Sequence, residues 1–245
     1  MPKFAVILPA AGNSTRFGGL QKKPFVTLEG RPVWQRTAEL FWNRDDVVQL
    51  LIVISPEDRE SFLLKSQALL AFNNGQVVDG GSERFESVAN ALGKLADDVD
   101  FVAVHDAVRP LTPAERISEV FRTAVEHGAA MLAIPVADTL KRVDGTNTIL
   151  ETVPRAGLWQ AQTPQVFRRD WLVEAYGRRQ EFSQAITDDA QLVEACGKAV
   201  KIVTGSSRNF KITTAEDMKL AKALLQYREQ EVARPARAFD EEAQW

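Results

Sequence analysis

The sequence has few residues that could form disulfides or carry out imidazole chemistry: one cysteine, Cys196, and two histidines occur among 245 residues. One cysteine excludes an internal disulfide, and its scarcity is typical of a reducing compartment. The N-terminus lacks the pattern of a signal peptide, and no apolar run approaches the roughly 20 residues that span a bilayer. We therefore expect a cytoplasmic protein with no membrane partner. Chemistry that needs several imidazoles is nearly excluded.

An excess of basic residues is also absent. Lys and Arg number 30 against 33 Asp and Glu, which gives a formal charge of -3. Because dedicated nucleic-acid binders usually carry a basic excess, we expect no nucleic-acid partner. Hydrophobic residues make up 45% of the chain, enough for the core of a single domain, which we place at residues 1–228. Residues 229–245 are rich in Glu, Arg, Ala and Pro, and we expect a frayed or disordered tail.

Short apolar runs alternate with amphipathic segments along most of the chain. Each run is too short and too rich in β-branched residues for a helix, and its near-continuous hydrophobicity is typical of a parallel strand covered on both faces. The alternation predicts an α/β fold, a doubly wound, mostly parallel, Rossmann-like sheet that binds ligands at the carboxyl ends of its strands. The predicted strands are Phe4–Leu8, Leu50–Ile54, Phe101–Val104, Met131–Val136 and Val200–Val203.

Helix start and stop signals lie between the predicted strands. Ser55 before Pro56 is a predicted N-cap, and Thr112 with Glu115 has the pattern of a capping box. Gly128 is expected to end the helix that follows Thr112. The other predicted helices are Pro32–Asn43, Glu83–Ala96, Asp170–Arg179, Asp188–Ala195 and one that begins at Thr213 or Thr214.

A β-hairpin interrupts the alternation where a crossover helix would be expected. Two strand-like segments, Thr139–Val143 and Thr148–Val153, flank an Asp144-Gly145 turn. The hairpin is either an elaboration at the edge of the sheet or an arm, over about residues 137–157, that reaches a second subunit.

The stretch LPAAGNSTRFGGLQKKPF follows the first predicted strand. It matches neither GxxxxGK[ST] nor GxGxxG, the two common phosphate-binding patterns. Gly12 nevertheless allows a ligand to approach the backbone, and Arg16 and Lys23 supply positive charge. The loop is also longer than usual for a strand-to-helix connection, which favours a function. The alternative is a solvated loop with ordinary surface cations.

Polar loops follow other predicted strands. Gly80-Gly81, with Ser82 and Ser87, permits close approach to a base or sugar, although a purely structural turn fits equally well. Asp106 ends a buried strand, where a carboxylate is costly unless paired or bound to a cation. It suits a metal-bound triphosphate or a sugar hydroxyl, or it pairs with Arg109 and only fixes the loop. Further candidates are Asp138-Thr139, Arg155, Thr163–Gln165, Thr187-Asp188 and Lys211.

These motifs keep a fixed order: Pro9–Gly12 with Arg16 and Lys23, Gly80-Gly81 with Arg84 and Ser87-Val88, His105–Pro110, Pro135–Thr139, Gly157–Gln165, Thr187-Asp188 and Asn209–Lys211. The series, from about Phe4 to Leu225, resembles the methylerythritol-phosphate cytidylyltransferases of the non-mevalonate isoprenoid pathway. Ribitol-phosphate cytidylyltransferases have closely similar motifs, so the resemblance identifies CTP as the nucleotide more clearly than it identifies the polyol phosphate that accepts CMP.

The resemblance implies a transferase that moves CMP from CTP to 2-C-methyl-D-erythritol 4-phosphate, giving 4-diphosphocytidyl-2-C-methyl-D-erythritol and pyrophosphate. It also implies Mg²⁺ bound mainly through the CTP phosphates, with Asp106 as the one candidate protein ligand, and a homodimer formed through the arm. Alternatives are a ribitol-5-phosphate cytidylyltransferase, a sugar-1-phosphate nucleotidyltransferase and a catalytically inactive nucleotide sensor. Retention of Arg16 and Lys23 argues against the last.

The same resemblance implies roles for individual residues. Arg16 and Lys23 match the catalytic pair at the α-phosphate. Nucleotide-binding positions are Ala10, Ala11, Gly12, Gly81, Ser82, Ser87 and Asp106. Acceptor-binding positions are Asp106, Arg109, Thr139, Arg155, Thr163, Thr187 and Lys211, of which Thr139 and Arg155 would come from the neighbouring subunit.

This chain departs from the family pattern at a few positions. The family has Pro-Lys-Gln around the catalytic lysine, whereas this chain has Lys22-Lys23-Pro24. Lys23 aligns with the catalytic position, and Lys22 is the alternative. Ser14 replaces a usual glycine, and Val108 replaces an alanine in His-Asp-Ala-Ala-Arg-Pro. Because no charged group is lost, we expect an active enzyme.

Overall fold

A seven-stranded sheet with helices on both faces organises the part of the chain that the computed structural model describes, residues 1–12, 22–182 and 186–233, with side chains to residue 227. Its strands and those of two small hairpins are β1 (Phe4–Pro9), β2 (Thr27–Leu28), β3 (Arg31–Pro32), β4 (Val47–Ile54), β5 (Gly75–Asp79), β6 (Phe101–Val104), β7 (Ala129–Pro135), β8 (Leu140–Val143), β9 (Ile149–Val153), β10 (Trp159–Arg168) and β11 (Lys201–Thr204). The helices are α1 (Val33–Trp42), α2 (Arg59–Phe72), α3 (Arg84–Leu92), α4 (Ala114–His127), α5 (Arg169–Gly177), α6 (Asp189–Ala195) and α7 (Ala215–Ala233).

The order of the strands in the sheet is β11-β7-β10-β6-β1-β4-β5. All neighbours pair in parallel except β10, which is antiparallel to both β6 and β7. The predicted α/β class and mostly parallel sheet are therefore confirmed. Strands β5 and β10 were not predicted, and Thr163–Gln165, placed by the sequence pattern after a strand or within a loop, lies inside β10.

Alternate side chains of β1 pack into two separate hydrophobic cores, because successive side chains of a β-strand point to opposite faces of the sheet. Phe4, Val6 and Leu8 pack with residues of α1, α2 and α4 on one face. Ala5 and Ile7 pack with residues of α3, α5 and α6 on the other face. Burial on both faces explains why the central strands are almost uniformly apolar in sequence.

The chain order reverses beside β1, and this reversal places the site. From β1 the chain moves outward to β4 and then β5, and from β5 it crosses back to β6 on the other side of β1. The connections after β1 and β6 therefore diverge at the carboxyl end of the sheet and leave a crevice between them. Open α/β sheets bind their ligands at such a point.

Ser55 has its predicted N-cap position before Pro56, but it makes no cap hydrogen bond, and the cap predicted at Thr112 is wrong because Pro113 is the N-cap residue of α4. Ser55 Oγ instead donates to Asp58 Oδ2 at 2.5 Å, and Thr112 Oγ1 donates to Asn209 Oδ1 at 2.7 Å. The predicted end of α4 at Gly128, which has a φ of 88°, is confirmed.

The hairpin predicted around Asp144-Gly145 is present as β8 and β9. Its turn is closed by the Asp144 carboxylate, which accepts hydrogen bonds from the backbone N–H groups of Thr146 and Thr148 at 2.8 and 2.9 Å. The hairpin forms a two-stranded sheet separate from the central one.

The last helix begins where the sequence predicts. The Asp217 carboxylate accepts from the backbone N–H groups of Thr213 and Thr214 at 2.7 and 2.8 Å. Helix α7 continues to Ala233, so the backbone of residues 229–233 is helical and does not belong to the frayed or disordered tail predicted from residue 229. Within the described ranges, no helix combines the length and apolarity needed to cross a membrane.

Candidate active site

One cavity of about 560 Å³ lies at the carboxyl ends of β1, β4, β5 and β6. Its wall is made by the loops that leave these strands, together with the segment that carries Lys211. The predicted site residues that line it are Ala10, Ala11, Gly12, Lys23, Gly81, Ser82, Ser87, Asp106 and Lys211. Arg16 lies outside the described residues.

The two adjacent lysines differ in their surroundings. Lys22 Nζ donates to Ser55 Oγ at 2.7 Å, to Glu57 Oε1 at 2.5 Å and to Asp58 Oδ2 at 2.7 Å. An ammonium group has three hydrogens, so these contacts occupy its full donor capacity. Lys23, the first residue of the 3₁₀ turn Lys23–Phe25, lines the cavity beside the buried Pro24. The geometry places Lys23 on the cavity wall and Lys22 in a cluster at the rim.

A close approach of two loops forms the wall beneath the predicted nucleotide-binding positions. Gly80 N–H donates to the Ile54 carbonyl at 2.7 Å, and a Cβ added at Gly80 would lie 2.5 Å from Ala11 Cβ and 2.9 Å from Ser87 Oγ. Any side chain at position 80 therefore pushes the loop after β1 away from α3. At Gly12, by contrast, an added Cβ meets no atom of the described residues within 4 Å.

The first turn of α3 holds the preceding glycine loop, residues 80–82, by hydrogen bonds. Glu83 and Glu86 form a capping box, and Glu86 Oε2 also accepts from Ser82 Oγ and the Ser82 N–H, both at 2.7 Å. These bonds lower the pKa of Glu86, the Ser82 hydroxyl bond contributing most. Ser87 Oγ accepts from Gly81 N–H at 3.2 Å, so the loop is fixed at both ends.

Asp106 lies at the centre of a cluster of cations. Its carboxylate is 3.0 Å from Arg109 Nε, 3.3 Å from Lys211 Nζ and 3.9 Å from Arg84 Nε. Burial alone would raise the pKa of Asp106, but Lys211, Arg84 and Arg109 together hold it well below its usual value. Asp106 is therefore ionised at neutral pH, and its charge holds Arg84 and Lys211 at the cavity and Arg109 behind its wall.

A buried hydrogen-bond chain fixes the backbone of Asp106. His105 Nε2 is 3.2 Å from the Arg109 carbonyl, which can only accept, so Nε2 carries the proton and Nδ1 is an acceptor. Thr163 Oγ1 then donates to His105 Nδ1 at 3.1 Å and accepts from the Asp106 N–H at 3.0 Å. Burial lowers the pKa of His105 to about 4, so the ring is neutral at pH 7. His105 and Thr163 thus position Asp106 without charge.

Arg84 has a second, fully buried partner. Its guanidinium makes two hydrogen bonds to the Asp189 carboxylate, at 3.2 and 2.7 Å, and Tyr176 Oη donates to the same carboxylate at 2.5 Å. Phe85 stacks on Tyr176 with ring centroids 4.9 Å apart. Burial opposes the charge of Arg84, but Asp189 raises its pKa above the usual value. A bidentate pair of this kind orients the guanidinium toward the cavity.

Asn209 ties the Lys211 segment to the rest of the site. It is fully buried, and its Nδ2 donates to the Thr163 carbonyl at 2.8 Å. The Asn209 carbonyl accepts from Arg109 Nη1 at 2.6 Å, and Ile212 N–H donates to the Val108 carbonyl at 2.9 Å. Lys211 is therefore carried on a rigid loop, although its own side chain is 45% exposed.

The remaining predicted residues do not line the cavity. Arg109 and Thr163 contact Asp106 from behind the wall. Thr139 and Arg155 are exposed at the base of the hairpin. Thr187 is exposed, and its N–H and hydroxyl donate to Gln191 Oε1.

Asp106 fits poorly as a metal ligand, because its carboxylate already has three cationic partners. No group of three or more acidic, His or Cys side chains suited to a metal ion occurs in the part of the chain that the structure describes. A Mg²⁺ ion at this site would have to obtain its ligands from the phosphates of a substrate and from water.

Three residues of the site received no role from the sequence: Arg84, Asp189 and Tyr176. Arg84 could have been found, because it is the first residue of the helix that follows the glycine loop. Asp189 adjoins the Thr187-Asp188 motif. No sequence signal connects Tyr176, on α5, with this wall.

Comparison with known proteins identifies the family. The family model IspD, described as 2-C-methyl-D-erythritol 4-phosphate cytidylyltransferase, matches residues 4–227. The chain belongs to this family. A relative of that name from Rhodopirellula baltica is 41% identical over 232 residues, which cover 90% of this chain and 94% of the relative. Another, from Pelotomaculum thermopropionicum, is 38% identical and covers 95% of this chain and 98% of its own length.

Solved structures of the cytidylyltransferase family share the fold. The crystal structure of 2-C-methyl-D-erythritol 4-phosphate cytidylyltransferase from Thermus thermophilus matches with a TM-score of 0.74 and 30% sequence identity. The match covers 92% of this chain and 100% of that chain. The chain is accordingly a nucleotidyltransferase, and the resemblance given by its motifs is confirmed.

Proposed function

We propose that the cavity binds CTP and 2-C-methyl-D-erythritol 4-phosphate together and transfers CMP between them, with release of pyrophosphate. The observation that carries this proposal is the distribution of charge in one cavity. Lys23 lies on the wall formed with the glycine loops, and Arg84 and Lys211 lie around Asp106. Two separate cationic regions suit two anionic substrates, one of them a triphosphate.

In the proposed reaction, a phosphate oxygen of the acceptor attacks the α-phosphorus of CTP. The bond to the bridging oxygen of the pyrophosphate breaks as the new phosphoanhydride bond forms. Ala10, Ala11 and Gly12 offer backbone N–H groups to the nucleotide, and Lys23, with Arg16 as its expected partner, stabilises charge at the α-phosphate. Gly81, Ser82 and Ser87 are placed for the base and sugar.

The acceptor binds at the opposite wall. Lys211 and Arg84 are directed there by Asp106, and Arg109 supports them from behind. Because the carboxylate holds the cations in a fixed arrangement, they can bind a phosphate without rearranging. The acceptor phosphate is then held in the geometry that the reaction needs. The Asp106 carboxylate itself can accept a hydrogen bond from a hydroxyl group of the polyol. Thr163 acts through its hydrogen bond to the Asp106 N–H, and Thr187 remains a proposed contact from the same side.

The hairpin is proposed to be the arm of a homodimer. Its strands and base expose five large apolar side chains, each at least 39% accessible: Val143, Ile149, Leu150, Leu158 and Trp159. A cluster of this kind on a protruding element is typical of a protein–protein contact. Thr139 and Arg155 do not line their own cavity, which supports their delivery to the site of a second subunit.

Mg²⁺ is proposed to enter with CTP, bound through the phosphate oxygens, since the described side chains do not form a metal site. It would neutralise phosphate charge and leave Asp106 paired with its cations. The scarcity of cysteine supports the cytoplasm as the proposed compartment.

A comparison of acceptors tests the function. The protein is incubated with CTP, Mg²⁺ and either 2-C-methyl-D-erythritol 4-phosphate or ribitol 5-phosphate, and pyrophosphate release is measured. We expect turnover with the first and little with the second. Turnover with ribitol 5-phosphate alone would refute the proposed acceptor, and a preference for UTP or GTP would refute the nucleotide.

A further inference from the structure

Lys22 is a departure of this chain from its family, and the function proposed above leaves it without a role. Its side chain is 21% exposed and lies at the cavity rim, where Ser55 and Glu57 line the cavity. Its ammonium group contacts one hydroxyl and two carboxylates, and Ser55 Oγ in turn donates to Asp58. The four side chains form a closed cluster, which we call the rim cluster.

The rim cluster joins two segments that both border the nucleotide region. One is the 3₁₀ turn Lys23–Phe25, and the other is the turn Pro56–Asp58 after β4. Lys22 has an extended backbone, with φ -66° and ψ 139°, and its carbonyl accepts from the Phe25 N–H at 3.0 Å. The side chain and the carbonyl of Lys22 therefore hold the start of this turn and fix the direction in which the Lys23 side chain extends from it.

The rim cluster also controls charge. Glu57 lines the cavity, and Asp58 lies beside it with a side chain only 24% exposed. Without Lys22, these two carboxylates would face any polyanion in the cavity. Like charges at the edge of a partly desolvated site repel strongly enough to weaken binding by about tenfold or more.

We propose that Lys22 is a positioning residue that masks Glu57 and Asp58 and orients Lys23, so that a nucleoside triphosphate can bind at this rim. The inference rests on the proposed function, because it takes CTP as the polyanion. Lys22 does not itself donate to the phosphate, since its three hydrogens are used within the rim cluster. This role is distinct from that of Lys23.

The test compares Lys22→Met with Lys22→Met combined with Glu57→Gln and Asp58→Asn. Both the dissociation constant of CTP, by calorimetry, and the KM and kcat of turnover are measured. We expect Lys22→Met to weaken CTP binding about tenfold, with the KM of the acceptor unchanged. Removal of both carboxylates should restore most of the CTP affinity, and Lys22→Arg should remain close to wild type.

Lys3→Met is the matched control. Lys3 also forms an ion pair, 2.6 Å from Asp98, but it precedes β1 at the other end of the sheet. Its loss changes the net charge equally and should leave CTP binding unchanged. Because an apparent dissociation constant rises as the folded fraction falls, circular dichroism and urea denaturation establish that each variant is folded under the assay conditions.

Two results would overturn the proposal. If the combined variant binds CTP as weakly as Lys22→Met, Lys22 acts on the phosphate directly. If Lys22→Met binds CTP as wild type does, the rim cluster is an ordinary surface ion pair. A wild-type protein that binds CTP without turnover would contradict the proposed function instead, and the binding data would still decide the role of Lys22.

Discussion

Replacement of Gly80 by alanine tests how the two loops of the nucleotide wall meet. The added Cβ would lie 2.5 Å from Ala11 Cβ, 2.9 Å from Ser87 Oγ and 3.3 Å from the Ile54 carbonyl oxygen. Carbon atoms in contact normally lie about 3.5–4.0 Å apart, so Ala11 or residue 80 must move by about 1 Å. Two of the three contacts involve backbone or a Cβ, which no change of rotamer can relieve.

We expect a cost in both stability and activity. Overpacking of this kind typically lowers the free energy of unfolding by about 1–3 kcal/mol. A shift of about 1 Å at Ala11, beside the proposed nucleotide, should lower kcat/KM on the order of 100-fold. Urea denaturation measures the first quantity, and pyrophosphate release at varied CTP measures the second.

Gly145→Ala is the matched control for Gly80→Ala. An added Cβ at Gly145, in the hairpin turn, meets no described atom within 4 Å. The same chemical change should there leave activity intact, and fewer unfolded conformations should keep stability equal or slightly higher. If the two variants are indistinguishable in both assays, the close approach of the loops does not shape the site.

Three further predictions concern the buried partners of the site and the hairpin. Tyr176→Phe removes a hydrogen bond to Asp189 and should cost about 1.5–3 kcal/mol in unfolding free energy, with a lower kcat/KM as Arg84 loosens; an unchanged kcat/KM would limit Tyr176 to packing. His105 has a pKa of about 4 in the folded protein and 6.5 in the unfolded chain. Its contribution to the free energy of unfolding should therefore be complete above pH 6.5 and fall by up to about 3 kcal/mol as the pH falls toward 4. Urea denaturation at several pH values measures this, and the same dependence of unfolding free energy on pH in His105→Gln would contradict it. Lys23→Ala should lower turnover on the order of 100-fold. If each active site uses residues of two subunits, a mixture of the Lys23→Ala and Arg155→Ala proteins should recover activity. No recovery after verified subunit exchange would refute the shared site.

The fold class could be predicted because two-sided burial leaves a clear trace in sequence. Strands β1, β4, β6 and β7 are almost uniformly apolar, and β7 begins directly after the glycine that ends α4. Strand β10 could not be predicted, since its buried half contains polar residues such as Gln162, Thr163 and Gln165. Their side chains bond to loops of the site, so tertiary contacts rather than local pattern make this segment a strand.

The candidate site could be predicted where function depends on loops that follow strands. Glycines and cations after β1 and β5 stand out because packing does not require them there. The cap hydrogen bonds expected from Ser55 and Thr112 do not form, because a hydroxyl near a helix start has more than one possible partner. Lys22 and Asn209 bond these hydroxyls from distant parts of the chain, which no local pattern reveals.

The reversed direction of β10 separates the hairpin from the sheet that carries the cavity. Strand β7 ends and β10 begins side by side, with Pro135 opposite Trp159 and the Val136 N–H bonded to the Leu158 carbonyl at 3.0 Å. The hairpin is therefore inserted between two neighbouring points that the sheet already holds together. Lengthening such an insertion adds little loop-closure entropy and does not alter the register of the sheet. The surface proposed for the dimer contact can thus change in length and sequence while the cavity wall stays the same.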